Sequence, residues 1–206
     1  MSWKKPTAGI ILAAGESARF GQTKQLLPLK NKYLIEWVLE AALSSRLQQI
    51  ILVLGHDHQR IIKAIEEKMR HPRLGVSVNH EYKKGQSGSL KFGFLQISKK
   101  FPSVMFMLGD QPMIDTQTID FLLQNFWRSD KDICVPVYQG KRGNPTIFSR
   151  KLYKHFLNLK GDIGAREIIK TNPDRVLEVE VKNPLCFIDV DTEKDFEKLE
   201  SQLKGK

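Results

Sequence analysis

The sequence predicts an α/β fold built on an open, mostly parallel sheet. Three observations predict it. Runs such as Ile10-Ile11-Leu12 and Val104-Met105-Phe106-Met107-Leu108 are continuously apolar, as strands covered on both faces must be. Stretches with apolar residues three and four apart lie between these runs, so strands alternate with helices. Several runs end in glycine-bearing or Asp-bearing turns, where such sheets bind ligands.

The first strand, Ile10 to Leu12, breaks at Ala13-Ala14-Gly15. The spacing Leu34-Ile35-x-x-Val38-Leu39-x-x-Ala42-Leu43 predicts an amphipathic helix, followed by a buried strand over Gln49–Gly55. Ile61, Ile62, Ile65 and Met69 mark another helix, and Gly75–Asn79 reads as a short β-branched strand. This β-α-β-α-β order implies parallel strands with right-handed crossovers. A helix is expected from about Ser87 to Lys99, with its serines as N-caps. Val104–Leu108 is a fully apolar strand, and Ile119, Leu122, Leu123 and Phe126 form a core-facing helix stripe. Asp132–Val137 is a further strand, with a glycine turn over 140–148 and a helix over 152–159. Val176–Val181 alternates apolar and acidic residues, as a half-exposed strand does, and an antiparallel edge is expected. Thr192 and Asp195 have the spacing of a capping box, with Asp in place of Glu or Gln. The whole pattern is a three-layer, Rossmann-like open sheet with a small antiparallel extension.

At 206 residues the chain suits a single domain, 1–206. Its 41% hydrophobic and 27% charged content is ordinary for a globular protein. Cys134 and Cys186 sit in apolar surroundings without metal spacing and read as reduced core thiols of a cytoplasmic protein. No signal-peptide pattern or membrane-length apolar run is visible. The net charge of +10 comes from scattered lysines, not a block or stripe. It suits a solvated surface or attraction of small polyanions. Without aromatic-basic interleaving, nucleic acid is not an expected partner. The five histidines show no zinc spacing.

The stretch Gly9–Lys24, G-I-I-L-A-A-G-E-S-A-R-F-G-Q-T-K, carries the sharpest chemical signal. Small residues at a strand end let a ligand approach the backbone, and outward N–H groups there form an anion site. Arg19 and Lys24 add two cations. The spacing is neither G-x-x-x-x-G-K-[ST] nor G-x-G-x-x-G. Gly15 and Gly21 alone would also suit an ordinary turn. Asp110 follows the Val104–Leu108 strand directly, at the rim of the sheet, where it either caps a turn or faces a ligand. Asp189 and Asp191 share one strand face by alternation.

The motif L-A-A-G-x-S-x-R-F-G-x-x-K-x-L-L resembles the opening of the MobA-like nucleotidyltransferases, closest to the molybdenum cofactor cytidylyltransferase branch. The resemblance runs over nearly the whole chain and implies the nucleotide-diphospho-sugar transferase type of fold. It implies that Ala13, Ala14 and Gly15 contact a nucleotide and that Arg19 and Lys24 hold its phosphates. Guanylyl-transferring relatives read L-A-G-G here, so Ala14 favours CTP over GTP. Asn79, Gly85, Ser87 and Ser89 would line the nucleotide side, although Gln86 and Gly88 depart from the family's G-M-S-x-S-L. By the G-D-x-P motif Asp110 would bind magnesium, with Asp191 favoured over Asp189 as its companion. R-G-x-P-x-x-F places Arg142, Gly143, Asn144 and Pro145 on the acceptor side, and G-D-x-G-A-R places Asp162, Gly164 and Arg166 there. The part from about 140 to 190 would therefore supply the acceptor side.

The implied enzyme is a Mg2+-dependent cytidylyltransferase. Its implied substrates are CTP and a molybdopterin-type phosphate acceptor, and the implied recipient is a molybdoenzyme. Lys24, Arg19 and Asp110 are the catalytic candidates. Within the class, a guanylyltransferase or an enzyme acting on a sugar or polyol phosphate is the alternative. A nucleotide-binding cofactor chaperone would keep the loop without the carboxylates, but Asp110, Asp189 and Asp191 are all present.

Overall fold

A computed structural model describes residues 5–17, 20–97, 101–159 and 164–204. The strands are β1 (Thr7–Ala13), β2 (Pro28–Leu29), β3 (Lys32–Tyr33), β4 (Gln49–Leu54), β5 (Leu74–Val78), β6 (Ser103–Leu108), β7 (Ile133–Tyr138), β8 (Lys141–Arg142), β9 (Thr146–Ser149) and β10 (Val176–Glu180). The α-helices are α1 (Leu34–Ser44), α2 (His58–Ala64), α3 (Gln86–Leu95), α4 (Thr116–Arg128), α5 (Tyr153–Asn158), α6 (Arg166–Lys170) and α7 (Glu193–Lys204).

The main sheet runs β10-β7-β9-β6-β1-β4-β5, with β8 added on β7, and β2 pairs with β3 apart from it. β1 lies in the middle, parallel to β4 on one side and to β6 on the other. The chain builds outward from β1 to β4 and β5, then returns to place β6 on the opposite flank. The carboxyl ends of β1 and β6 therefore flank a topological switch point, the ligand crevice of open α/β sheets. β9 is antiparallel to both β6 and β7. The Val176–Val181 expectation needs one correction: β10 is an edge strand, but it runs parallel to β7. Edge position explains its alternation. Direction is set by the crossover through α5 and α6, which strand composition does not report.

The apolar strand sequences follow from burial on both faces. Ile11 and Ala13 face a core built with Ile35, Val38 and Leu39 of α1 and Leu122 and Leu123 of α4. Ala8 and Ile10 face a second core with Leu90 of α3 and Phe156 of α5. A third, smaller cluster packs Phe20, Leu27, Leu29 and Leu34 against Val190 and Leu199, so α7 returns the chain's last segment to the loop region after β1. Asp195 accepts from the Thr192 backbone at 2.8 Å, and Asp195 N–H donates back to Thr192 Oγ1 at 3.3 Å, the expected capping box. The glycine turn after β7 is a two-residue hairpin. Gln139 and Gly140 both have positive φ (50° and 75°), the left-handed pair that suits sheet twist.

Candidate functional site

Two hollows meet at the carboxyl end of the sheet. The first, about 560 Å³, is lined by Ala13, Ala14, Gly15, Lys24 and the start of α3 at Gly85, Gln86 and Ser89. The second, about 670 Å³, is lined by Arg142, Gly143, Asn144, Gly164, Arg166 and Asp189, over an apolar floor that includes Phe106 and Val135. Leu12, Gln86, Leu108, Asp110 and Asp191 line both. Asp110 and Asp191 thus stand in the wall common to the two.

Backbone geometry puts them there. Gly109, just after β6, lies against the end of β1. A Cβ on it would be 2.7 Å from Ala13 Cβ and 3.2 Å from the Leu12 carbonyl oxygen. Only the absent side chain lets the two strand ends close up and set Asp110 beside the β1 loop. The Asp110 carbonyl then accepts from Val190 N–H at 3.0 Å, docking the segment that carries Asp189 and Asp191.

Lys24 joins the pieces. Its Nζ donates to Asp110 Oδ2 at 2.6 Å and to Asp191 Oδ1 at 2.9 Å. Burial opposes its charge, but Asp110 and then Asp191 outweigh that, and the ammonium's pKa stands above its ordinary value. The backbone beneath it is anchored. Lys24 N–H donates to Ser17 Oγ at 3.3 Å, and the Thr23 hydroxyl donates to Asp57 Oδ2 after β4 at 2.5 Å. Asp189 and Asp191 lie in an irregular segment before α7, not on the strand that their alternation predicts, and Asp189 sits apart from this bridge. Its Oδ1 accepts from the buried Gln111 amide at 2.7 Å. Burial and the Asp110 charge push its pKa up, against the donation from Gln111.

Asp110 Oδ1 is buried and has no hydrogen-bond partner among the described residues. No cluster of three or more His, Cys, Asp or Glu suited to a metal occurs among those residues. The orphaned Asp110 oxygen agrees with a hard cation, because Mg2+ takes one or two carboxylates and completes its shell with water and phosphate oxygens. An orphaned carboxylate oxygen beside a second carboxylate fits such an ion.

The remaining candidates divide. Ser89 faces the first hollow and accepts from Asn79 Nδ2 at 3.1 Å. Asn79 and Ser87 are buried and line neither hollow; Asn79 Oδ1 also accepts from Glu81 N–H at 3.0 Å. The serines do not cap α3. Gly85 occupies the cap position, with φ 99°, two residues before the first of the serines. Arg142 is exposed and pairs with Glu178 of β10 at 2.6 Å. Pro145 is buried and does not line the second hollow, although its neighbours Asn144 and Thr146 do. Gly164 abuts Gln86, whose Oε1 would be 2.6 Å from a Cβ there. Arg19 and Asp162 lie outside the described residues.

Sequence reasoning missed four residues of this region. Gln86 is in the shared wall, and Gln111 and Thr23 hold candidate residues in place. Lys83, treated above as scattered surface charge, lines the first hollow and pairs with Glu16 at 3.4 Å. Gln111 and Gln86 each carried a local signal, a place inside G-D-Q-P and inside the G-Q-S-G-S-L segment, but nothing local shows that the Gln111 amide reaches Asp189 or that Gln86 stands in the shared wall.

A model of the MobA-like NTP transferase domain matches residues 9–176. The chain is a MobA-like nucleotidyltransferase. It is 30% identical over 195 residues to purine catabolism protein PucB of Bacillus subtilis, covering 91% of this chain and 93% of that one. It is 26% identical over 188 residues to the molybdenum cofactor cytidylyltransferase of Escherichia coli, covering 91% and 92%. The crystal structure of Rv0371c from Mycobacterium tuberculosis H37Rv in complex with manganese superposes with a TM-score of 0.77 at 26% identity, covering 95% of this chain and 98% of that one. No helix among the described residues is long and apolar enough to cross a membrane.

Proposed function

We propose that this nucleotidyltransferase is a CTP:molybdopterin cytidylyltransferase, making molybdopterin cytosine dinucleotide and pyrophosphate with Mg2+. One observation carries the transfer: Asp110 and Asp191 line the wall between two hollows, with Lys24 on one side of it. A group passed from one bound molecule to another must cross such a wall. Ala14 in the L-A-A-G motif and the full-length similarity to the E. coli cytidylyltransferase support CTP and molybdopterin. The chain then acts as one unit in the cytoplasm, with residues 140–190 forming the acceptor side.

In this reading an oxygen of the acceptor's terminal phosphate attacks the α-phosphorus of CTP. The bond from that phosphorus to the β-phosphate oxygen breaks, and pyrophosphate leaves with the electron pair. Positioning and charge neutralisation dominate such chemistry. The Ala13–Gly15 backbone and the amino end of α3 receive the triphosphate. Lys24, with Arg19, neutralises it and the departing pyrophosphate. Arg142 and Arg166 orient the acceptor. Asp110 and Asp191 would hold Mg2+, which supplies charge neutralisation at the phosphate oxygens. Gln111 turns Asp189 toward the acceptor hollow. No protein base is needed, because a phosphate monoester with a second pKa of about 6 is largely a dianion at neutral pH.

Pyrophosphate release is measured with each of the four nucleoside triphosphates, with and without molybdopterin. Release is expected with CTP, molybdopterin and Mg2+ together, and EDTA should abolish it. Preference for GTP would overturn the base assignment, and release with none of them would overturn the reading itself.

A further inference from the structure

We infer that Lys24 is a resident counter-ion for the divalent-cation site: its ammonium occupies the carboxylates until a nucleotide draws it away, so metal and nucleotide load together. This rests on the nucleotidyl-transfer reading above. Its basis is the competition for two oxygens. Lys24 Nζ sits 2.6 Å from Asp110 Oδ2 and 2.9 Å from Asp191 Oδ1. Those carboxylates are the ones a divalent ion would need. A second cation at the same oxygens would lie within a few ångströms of the ammonium, at strong repulsion in a partly buried setting. The Lys24 side chain is 12% exposed, so water screens it little.

The side chain also has a route of departure. The Lys24 backbone is pinned through Ser17, and its neighbour Thr23 is tied to Asp57. Only the flexible four-carbon stem is left to swing. Lys24 lines the first hollow and not the second. A triphosphate in the first hollow therefore offers the ammonium new partners on the side it already faces. Its departure leaves both Asp110 oxygens to the metal. In the nucleotide-free protein the metal must evict Lys24 unaided.

The test is direct Mn2+ binding without nucleotide, read from the free-Mn2+ signal in electron paramagnetic resonance. Wild type is compared with Lys24→Met and Lys24→Gln, each first shown to unfold cooperatively. Removing a like charge that lies within a few ångströms of the bound ion should tighten Mn2+ binding by about tenfold or more. Adding Asp110→Asn to either variant should cancel the gain. Equal Mn2+ affinity in wild type and both variants would overturn the inference. A measurement on wild type alone guards against poor folding of the variants. Mn2+ at the concentration that saturates the site in the titration must have displaced the ammonium, so it should speed reductive methylation of the Lys24 amine, read by peptide mass spectrometry, and an unchanged rate at saturation would also overturn the idea. No acceptor is present and no turnover is read, so failure here leaves nucleotidyl transfer standing, and absent pyrophosphate release would not alter the titration.

Discussion

Lys24 and Asp110 lie 86 residues apart in the chain and are joined by a 2.6 Å charged hydrogen bond across the switch point of the sheet. The loop after β1 and the turn after β6 meet there because β1 and β6 are parallel neighbours.

Replacing Lys24 by Ala removes a preorganised cation from the first hollow. Loss of one such donor typically lowers kcat by about 10²–10³. Steady-state pyrophosphate release should show a loss of this order, and near wild-type turnover would remove Lys24 from the chemistry.

Gly109→Ala tests the approach of β1 and β6. The new methyl would sit 2.7 Å from Ala13 Cβ, where neither partner can give way cheaply. Overpacking of this kind costs about 1–3 kcal/mol. Urea unfolding should show that loss, and titration with a CTP analogue should show weaker binding, because Asp110 moves from Lys24.

Thr23→Val removes the hydroxyl that donates to Asp57. Hydrogen bonds to charged groups contribute about 1.5–3 kcal/mol. With Asp57 partly open to water and paired with Arg60, a cost of about 1–2 kcal/mol is expected. The Lys24 backbone should loosen too, raising the KM for the nucleotide more than it lowers kcat.

Asp132 gives a pH-dependent test away from the site. Burial opposes its charge, but hydrogen bonds from Arg175, Ser149 and Lys151 outweigh that and hold its pKa below the ordinary 3.8. The folded value is below the unfolded one, so the pair stabilises the protein above about pH 4 and loses this as pH falls through the folded pKa. Asp132→Asn should therefore be less stable than wild type at pH 7. The gap should close on acidification below pH 3.8 in denaturant titrations.

The parallel sheet was legible because burial on both faces leaves a plain mark: Ile10–Leu12 and Val104–Leu108 carry no polar residue. Asp110, Lys24 and Asp191 were legible because each follows a strand end or sits in a short motif. The hairpin of β2 and β3 was not, since two-residue strands leave no periodicity to read. Nor was the direction of β10, which depends on its crossover. Asn79 shows a further limit. Its position after a strand resembles a ligand contact, and its amide also braces Ser89 and the Glu81 backbone, one bond at each end. Only coordinates reveal which polar groups have already found partners within the protein.

The shared wall has a pharmacological corollary. Anything formed by joining the contents of the two hollows is longer than either and must straddle Asp110 and Asp191. Such a molecule is gripped at both ends at once, and neither end can escape while the other holds. A single compound tethering a nucleotide to an acceptor mimic should therefore inhibit far more strongly than its two halves supplied separately, and a spacer too short to bridge the wall should forfeit that advantage.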